Sequence, residues 1–410
     1  MKHGEITAAI EPAVRSADVV VVGGGGHVGL PLSLALAATG MRVSILDASA
    51  DRVDEICRGR MPFREAGADT LLPKVLAAGT LSATTSPSIM RLVPQVIVVI
   101  GTPIDEFLNP SMAIFEHAVD ELAPELADGA LVVLRSTVYP GTTQYVEQRL
   151  HELGKTVDVA FAPERIAEGQ ALEELGKLPQ IVGADSEQAG DRAEALFSCL
   201  GAEIVRTTSR EAELAKLMTN AWRYMKFAVA NQFFMVAHEA GVDYNRVLHA
   251  IRHNYPRAED LPSPGFAAGP CLLKDTMQLA AFTPDHFPLG QTAMRINEGL
   301  PTYVVNAMER RYGSLRGRRI GILGMAFKGE SDDMRSSLSY KLRKLLSWAG
   351  ATVLMTDPYV PDERLLPLEA VLEQSEVLVM GAPHRAYRSL PIGGKDVVDV
   401  WGVTGDGIRL

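Results

Sequence analysis

The chain has 410 residues, is 47% hydrophobic and 22% charged, and carries a net charge of −10. Its length implies two or three folded domains, and its composition excludes a disordered chain. The acidic balance excludes the broad basic footprint of a nucleic-acid binder, and no run approaches the roughly 18 apolar residues of a membrane-spanning helix.

From the N-terminus, "MKHGEITAAIEPAVRSA" lacks the apolar stretch of roughly 7–15 residues that a secretory signal needs. The three cysteines, Cys57, Cys199 and Cys271, are odd in number and far apart, with no CxxC or Cys/His spacing. A cytoplasmic, reduced protein without a metal is expected. "DVVVVGG" is a β-branched run ending in glycines, "GHVGLPLSLALAATG" reads as a helix closed by Gly40, and "MRVSILD" is a second strand. This β-turn-α-β unit predicts a parallel sheet. "QVIVVIGTP" and "ALVVLRSTV" extend it, and "VDVAFAPER" and "AEIVRTT" read as further strands.

"GGGHVG" places G-x-G-x-x-G at Gly24, Gly26 and Gly29. The first glycine makes the tight turn, the second lets backbone approach a pyrophosphate, and the third lets the helix pack on the strand. The motif follows a strand, opens a helix, and is answered by Asp47 at the end of the next strand, which predicts dinucleotide binding. The Asp47 carboxylate suits the adenosine ribose diol and repels a 2′-phosphate, which favours NAD over NADP. Arg52 would soften that preference, but at a helix start it reads first as a solvated charge. His27, within the loop, reads as a packing or backbone partner rather than an acid–base group.

From Glu211 the pattern changes. No Gly or Pro interrupts the chain until Gly241, and apolar positions recur at helical spacing, which predicts one helix of about 30 residues. A helix that long spans domains or forms a dimer seam. After Gly317 the strand–helix alternation returns. "RRIGILGMAFKG", "ATVLMTDP" and "EVLVMGAPH" match the opening strand, the Asp-terminated second strand and "QVIVVIGTP", in the same order. The predicted architecture is α/β, with two Rossmann-like doubly wound domains (1–208 and 317–410) joined by a helical domain (209–316) that carries the long helix.

Cys271 lies in "SPGFAAGPCLLKDT". A lone cysteine is ordinarily a small buried hydrophobe. Here Lys274 and a nearby helix start favour a thiolate, and a thiolate is a nucleophile. Cys57 and Cys199 have no such company and read as packing residues.

With these stretches together, the chain resembles the UDP-glucose/GDP-mannose dehydrogenase family, the nucleotide-sugar 6-dehydrogenases, from about Asp18 to Gly402. The resemblance rests on "GGGHVGLPL", "VIVVIGTP", "RSTVYPGTT", "APERIAEGQA", "AELAKLMTNAWR", "PGFAAGPCLLKD" and "GMAFKGESDDMRSS". It implies NAD-dependent four-electron oxidation of a sugar C6 alcohol to a carboxylate, with Cys271 carrying a thiohemiacetal and then a thioester. It further implies that Lys216 and Asn220 stabilise developing negative oxygen and that Asp275 orients a water or the Lys216 ammonium. Glu164 would position substrate or catalytic water, with Thr137 beside the nicotinamide. Without the resemblance, Glu164 and Glu168 read only as a helix-start capping pair. The cofactor would be met by Gly24, Gly26, His27, Val28, Gly29, Asp47, Arg52, Thr102, Pro103, Ser136, Thr137, Glu168 and Lys274. The substrate would be met by Glu164, Lys216, Asn220, Phe266 and Gly269, with Lys328 and Arg335 on its diphosphate and Arg257 reaching a neighbouring subunit's substrate. A homodimer through the helical domain follows.

Two departures bear on the substrate. The family commonly has "GFGGSC" where this chain has "GFAAGPC", and "ANQFF" stands where relatives often carry Asn-Glu. "KD" after the cysteine is the pattern of UDP-glucose and GDP-mannose enzymes, whereas N-acetylhexosamine enzymes more often show a His before it and "DP" after. A UDP-hexose such as UDP-glucose is therefore the expected substrate, with a UDP-N-acetylhexosamine or GDP-mannose as the alternative. A non-catalytic nucleotide-sugar sensor is the reading from another class.

Overall fold

The structure is a computed structural model that describes residues 17–101, 112–267, 269–283, 286–392, 394–404 and 410. It divides into two compact units. The first holds most of the described chain up to Ser209, and the second holds the described residues from Arg210 onward together with residues 137–141.

In the first unit the chain runs β1 (Val19–Val22), α1 (Gly29–Ala38), β2 (Val43–Leu46), α2 (Ala50–Cys57), α3 (Ala68–Ala77), β3 (Leu81–Thr84), β4 (Gln95–Val98), α4 (Met112–Leu122), β5 (Leu131–Leu134), α5 (Thr142–Glu152), β6 (Asp158–Phe161), α6 (Ala171–Leu175), β7 (Gln180–Gly183), α7 (Glu187–Ser198) and β8 (Ile204–Thr207). The strands form one sheet in the order β3-β2-β1-β4-β5-β6-β7-β8. β1 to β6 are parallel, as the sequence predicts, but β7 meets β6 antiparallel through Phe161 and Gly183. Val19, Val21, Ile45, Ile97 and Val133 are buried in a core with Leu30, Leu34 and Leu36 of α1. Strand order reverses between β1 and β4, so their carboxyl ends open a crevice of the kind where doubly wound sheets bind ligands.

The second unit starts with the predicted long helix, α8 (Ser209–Glu239), 31 residues or about 46 Å long. It continues with α9 (Tyr244–Arg252), α10 (Leu272–Phe282), α11 (Pro288–Tyr312), β9 (Arg319–Leu323), α12 (Leu338–Trp348), β10 (Thr352–Thr356), α13 (Leu368–Gln374), β11 (Val377–Met380) and β12 (Asp396–Val398). The four strands pair in parallel in the order β10-β9-β11-β12. β9 sits between β10 and β11 as β1 sits between β2 and β4, so the repeat read in the sequence is a repeat of architecture. The helices and this sheet share one core, in which Phe234, Leu300, Val304 and Met308 join Ile320, Ile322 and Val379.

Candidate active site

In the first unit the glycine loop is built by packing. A Cβ on Gly24 would lie 2.7 Å from the Val21 carbonyl oxygen, and one on Gly29 would lie 2.6 Å from the Gly24 Cα, so neither position admits a side chain. Gly26 differs: its Cβ would meet only the Gly23 carbonyl oxygen, at 3.6 Å. Its bare face is open to an incoming group, as a pyrophosphate site requires. Val28 precedes the first turn of α1 without a side-chain cap. Asp47 is buried, accepting from the Gly25 N–H at 2.9 Å and the Ser49 N–H at 3.0 Å, one on each carboxylate oxygen. Each oxygen keeps a second acceptor position, which fits a ribose diol. These residues fit NAD. His27 stacks on Phe63 with ring centroids 4.1 Å apart. Arg52 is exposed, its backbone N–H donates to Ser49 Oγ, and its Cβ lies 3.5 Å from where a Cβ on Gly25 would fall. Thr102 and Pro103 lie outside the described residues.

Glu164 lies in a buried ion pair. Its carboxylate is buried and accepts from Arg135 Nη2 at 2.5 Å and from the N–H groups of Arg165 and Ile166 at 2.7 and 3.0 Å. Arg135 is itself fully buried, donating also to the Ala162 carbonyl and Gln180 Oε1 and lying over the Phe197 ring. Glu164 is thus half of an internal ion pair that ties the end of β5 to the loop after β6. Glu168 and Ser136 are half-buried. Cys57 and Cys199 are exposed at helix ends, not packed in the core as the sequence suggests. The Cys199 sulfur is partly sheltered against the Leu196 carbonyl, and that desolvation raises its pKa.

In the second unit, Cys271 is the residue before the first turn of α10, and it is exposed at the helix's positive end. Three and four residues on, Lys274 and Asp275 pair with each other, Lys274 Nζ lying 3.4 Å from Asp275 Oδ1, a contact the sequence reading did not assign. The second carboxylate oxygen accepts a 2.5 Å hydrogen bond from Asn220 Nδ2 on α8. Asp275 is fully buried, and Asn220 and Lys216 are nearly so. Leu217 and Ala221 of α8 cluster with Leu279, while Tyr224 and Ala228 cluster with Leu272 and Leu273, so α10 runs back along α8. The structure thereby brings Lys216, Asn220, Lys274, Asp275 and Cys271 onto two facing helices. Thr137 groups with this unit. Its loop is anchored by the buried Glu213 of α8, which accepts from the Gly141 N–H at 2.6 Å, and by Tyr139 edge-on to Phe282.

The loop before Cys271 is clamped by residues that the sequence reading did not single out. Asn231 of α8 accepts from the Gly265 N–H at 2.8 Å and donates to the Gly265 carbonyl at 3.1 Å. Asn297 holds Asn231 in turn and donates to the Tyr224 carbonyl. A polar residue on the core-facing side of an apolar helix was the available signal. A Cβ on Gly265 would fall 2.2 Å from the Trp401 ring, and one on Gly269 2.5 Å from the Phe327 ring. Phe266 is a core residue, edge-on to Trp401, so any ligand contact there falls to its backbone. Arg257 is exposed in the turn after α9.

Lys328 and Arg335 lie on the loop after β9. Lys328 Nζ stands 5.6 Å from the Phe327 ring centre, and Arg335 is held bidentately by Asp333 at 2.6–3.0 Å. Asp357, at the end of β10, is buried. Burial works to raise its pKa, but hydrogen bonds from His384 and from the Tyr359 and Ala326 N–H groups outweigh it and hold the carboxyl below its ordinary value. Among the described residues no three His, Cys, Asp or Glu side chains are arranged to hold a metal ion, and no helix is long and apolar enough to cross a membrane.

A dinucleotide loop in one α/β unit and a cysteine, lysine, asparagine and aspartate on facing helices in the other define an NAD-dependent nucleotide-sugar dehydrogenase. The chain belongs to the UDP-glucose/GDP-mannose dehydrogenase family: its NAD binding domain matches residues 17–200, its central domain 210–299 and its UDP binding domain 321–406. The UDP-N-acetyl-D-mannosamine dehydrogenase of Pyrococcus horikoshii is 31% identical over 90% of this chain and 90% of its own. The NDP-N-acetyl-D-galactosaminuronic acid dehydrogenase of Ralstonia solanacearum is 30% identical over 93% and 94%. The structure of a UDP-glucose dehydrogenase from Pyrobaculum islandicum superposes with a TM-score of 0.88 at 29% identity, covering 97% of this chain and 96% of that one.

Proposed function

We propose that this protein oxidises the C6 alcohol of a UDP-linked N-acetylhexosamine to the carboxylate, with Cys271 as nucleophile. The observation that carries the reading is the buried Asn220–Asp275 pair, with the half-buried Lys274 against it, beside an exposed cysteine at a helix N-terminus. NAD, when bound, accepts a hydride in each of the two oxidations. The thiolate of Cys271 adds to the aldehyde carbon, forming an S–C6 bond, and the carbonyl oxygen takes up negative charge and then a proton. The Lys216 ammonium and the Asn220 amide stabilise that oxygen, and Asp275 holds the amide's orientation. Once C6 is at the acyl level, water cleaves the S–C6 bond, and the carboxylate and the free thiol result. Thr137 holds the water. Because the nucleophile is a free thiol, the enzyme works in a reducing compartment.

In the same reading, 1–208 carries NAD on Gly24, Gly26, Gly29 and Asp47, flanked by His27, Val28, Arg52, Thr102, Pro103, Ser136 and Glu168, with Lys274 contributed from 209–316. Residues 317–410 hold the diphosphate with Lys328 and Arg335. The "KD" after Cys271 favours a UDP-hexose, whereas the named relatives from Pyrococcus and Ralstonia act on N-acetylhexosamine derivatives. Full-length similarity outweighs one dipeptide, so the acetylated sugar leads. A panel of nucleotide sugars with NAD, followed at 340 nm, tests this. Fastest turnover of UDP-glucose would restore the hexose reading, and no turnover of any would favour a sensor.

We also propose a homodimer through α8. Met218, Trp222, Val229, Phe233 and Val236 are each 43–61% exposed and fall at intervals of 4, 7, 4 and 3, a continuous apolar stripe on one helix face. A second copy of the chain covers it. Trp222→Glu with Phe233→Glu should shift the sedimenting species from dimer to monomer at micromolar concentration. A wild-type monomer would remove the proposal.

A further inference from the structure

His384 lies in the loop after β11, its side chain fully buried, edge-on to the Tyr359 and Tyr387 rings. The Glu330 N–H donates to its Nδ1 at 3.0 Å. Nδ1 is therefore the acceptor, and the proton sits on Nε2, 3.1 Å from Asp357 Oδ2. Asp357 also accepts from the N–H groups of Met325 and Ala326 at 2.6 and 3.0 Å, and from those of Tyr359 and Val360 at 2.8 and 3.1 Å. One buried imidazole thus joins the ends of β9, β10 and β11, on the side of the sheet where strand order reverses. The contact it makes on the β9 loop falls on Glu330, two residues after Lys328. Glu330 has a left-handed backbone, φ 59°, which a non-glycine residue holds only when its surroundings fix it. The lock is reciprocal: the Arg385 N–H donates to Glu330 Oε1 at 2.8 Å.

We propose that His384 is a positioning residue for nucleotide binding: through its unprotonated Nδ1 it fixes the Glu330 turn and so presents Lys328 to the diphosphate. The inference rests on the reading that Lys328 and Arg335 hold that diphosphate. Neither His384 nor Asp357 needs to touch the ligand. Asp357 orients the ring by taking the Nε2 proton, as a carboxylate orients any imidazole whose other nitrogen does the work.

The two ring nitrogens can be tested apart with UDP as the probe, its affinity measured by calorimetry on the full chain. Asn at 384 places an acceptor near Nδ1, and Gln places a donor near Nε2. His384→Gln should weaken UDP about tenfold, because the Glu330 N–H loses its acceptor, while His384→Asn stays within about threefold of wild type. NAD affinity should not move in either. A merely structural imidazole would make the two variants equal, and equal losses, or a greater loss in His384→Asn, overturn the inference. Lys328→Ala is the companion. If it leaves UDP affinity unchanged, the diphosphate reading itself falls and the inference with it; if it weakens UDP while His384→Gln does not, the inference alone fails. Should the variants not fold, amide exchange of the wild-type protein decides. UDP should slow exchange over 324–337 and 381–388 together, and protection confined to 324–337 would overturn the proposal.

Discussion

Replacing Cys271 by serine should cut uronate formation at least about a thousandfold, roughly 4 kcal/mol in barrier height at 1.36 kcal/mol per decade, and leave NAD affinity unchanged. The sulfur has two tasks that oxygen performs poorly. An unperturbed thiol ionises near pH 8.5 and is a strong nucleophile at neutral pH, whereas a serine hydroxyl needs an adjacent base. Cys271 sits at the positive end of α10 with Lys274 three residues on, an arrangement that assists an anionic sulfur more than a neutral hydroxyl. In the last step the thiol is also the better leaving group from an acyl carbon. The wild-type enzyme should form two NADH per uronate, with little aldehyde recovered by a carbonyl trap during turnover. Serine turnover at the wild-type rate would exclude covalent catalysis, and a wild-type NADH ratio near one with trapped aldehyde would mean that the "GPC" loop permits only the first oxidation.

The parts of this structure that local pattern determines are the parts the sequence makes legible. Strands such as "VVVV" and "LVVL" are apolar on both faces and bounded by turn residues, and they appear where expected. β3 (LSAT) and β7 (QIVG) are four residues long and carry too little pattern to separate from loop; the antiparallel entry of β7 is a tertiary outcome. α8 is legible because nothing breaks it. α11 is less so, since Pro301 falls inside a 25-residue helix where proline ordinarily marks an end. At the site, Lys216 and Asn220 share a helix face by spacing alone, but the Asn220 partner lies 55 residues away and only packing finds it. The burial of Arg135 is the hardest case. A charged residue at a strand end reads as solvated, and only the arrival of Glu164, Gln180 and the Ala162 carbonyl around it makes its burial tolerable.

Asp275 should separate stability from catalysis when its charge and its shape are removed in turn. It is fully buried, with one oxygen accepting from Asn220 at 2.5 Å and the other 3.4 Å from the Lys274 ammonium, without a hydrogen-bond partner among the described residues. Breaking a buried pair by deleting one partner costs about 3–5 kcal/mol, because the other charge stays behind unpaired. Asp275→Leu should approach that cost in denaturant unfolding, since it strands both the Lys274 ammonium and the Asn220 amide. Asp275→Asn keeps the volume and an oxygen that accepts from Asn220, so it should lose only about 1–2 kcal/mol. Turnover should fall on the order of a hundredfold even in Asp275→Asn, the usual penalty when a group near the reacting centre is displaced by about 1 Å. The displaced group is the Asn220 amide, which an uncharged acceptor orients less firmly and which is needed most when negative charge builds on the C6 oxygen. Single-turnover NADH formation, measured below the unfolding transition, reads that loss directly. If Asp275→Asn turns over within about twofold of wild type while Asp275→Leu unfolds early, the carboxylate is a packing anchor and the orientation of Asn220 must be assigned to another group.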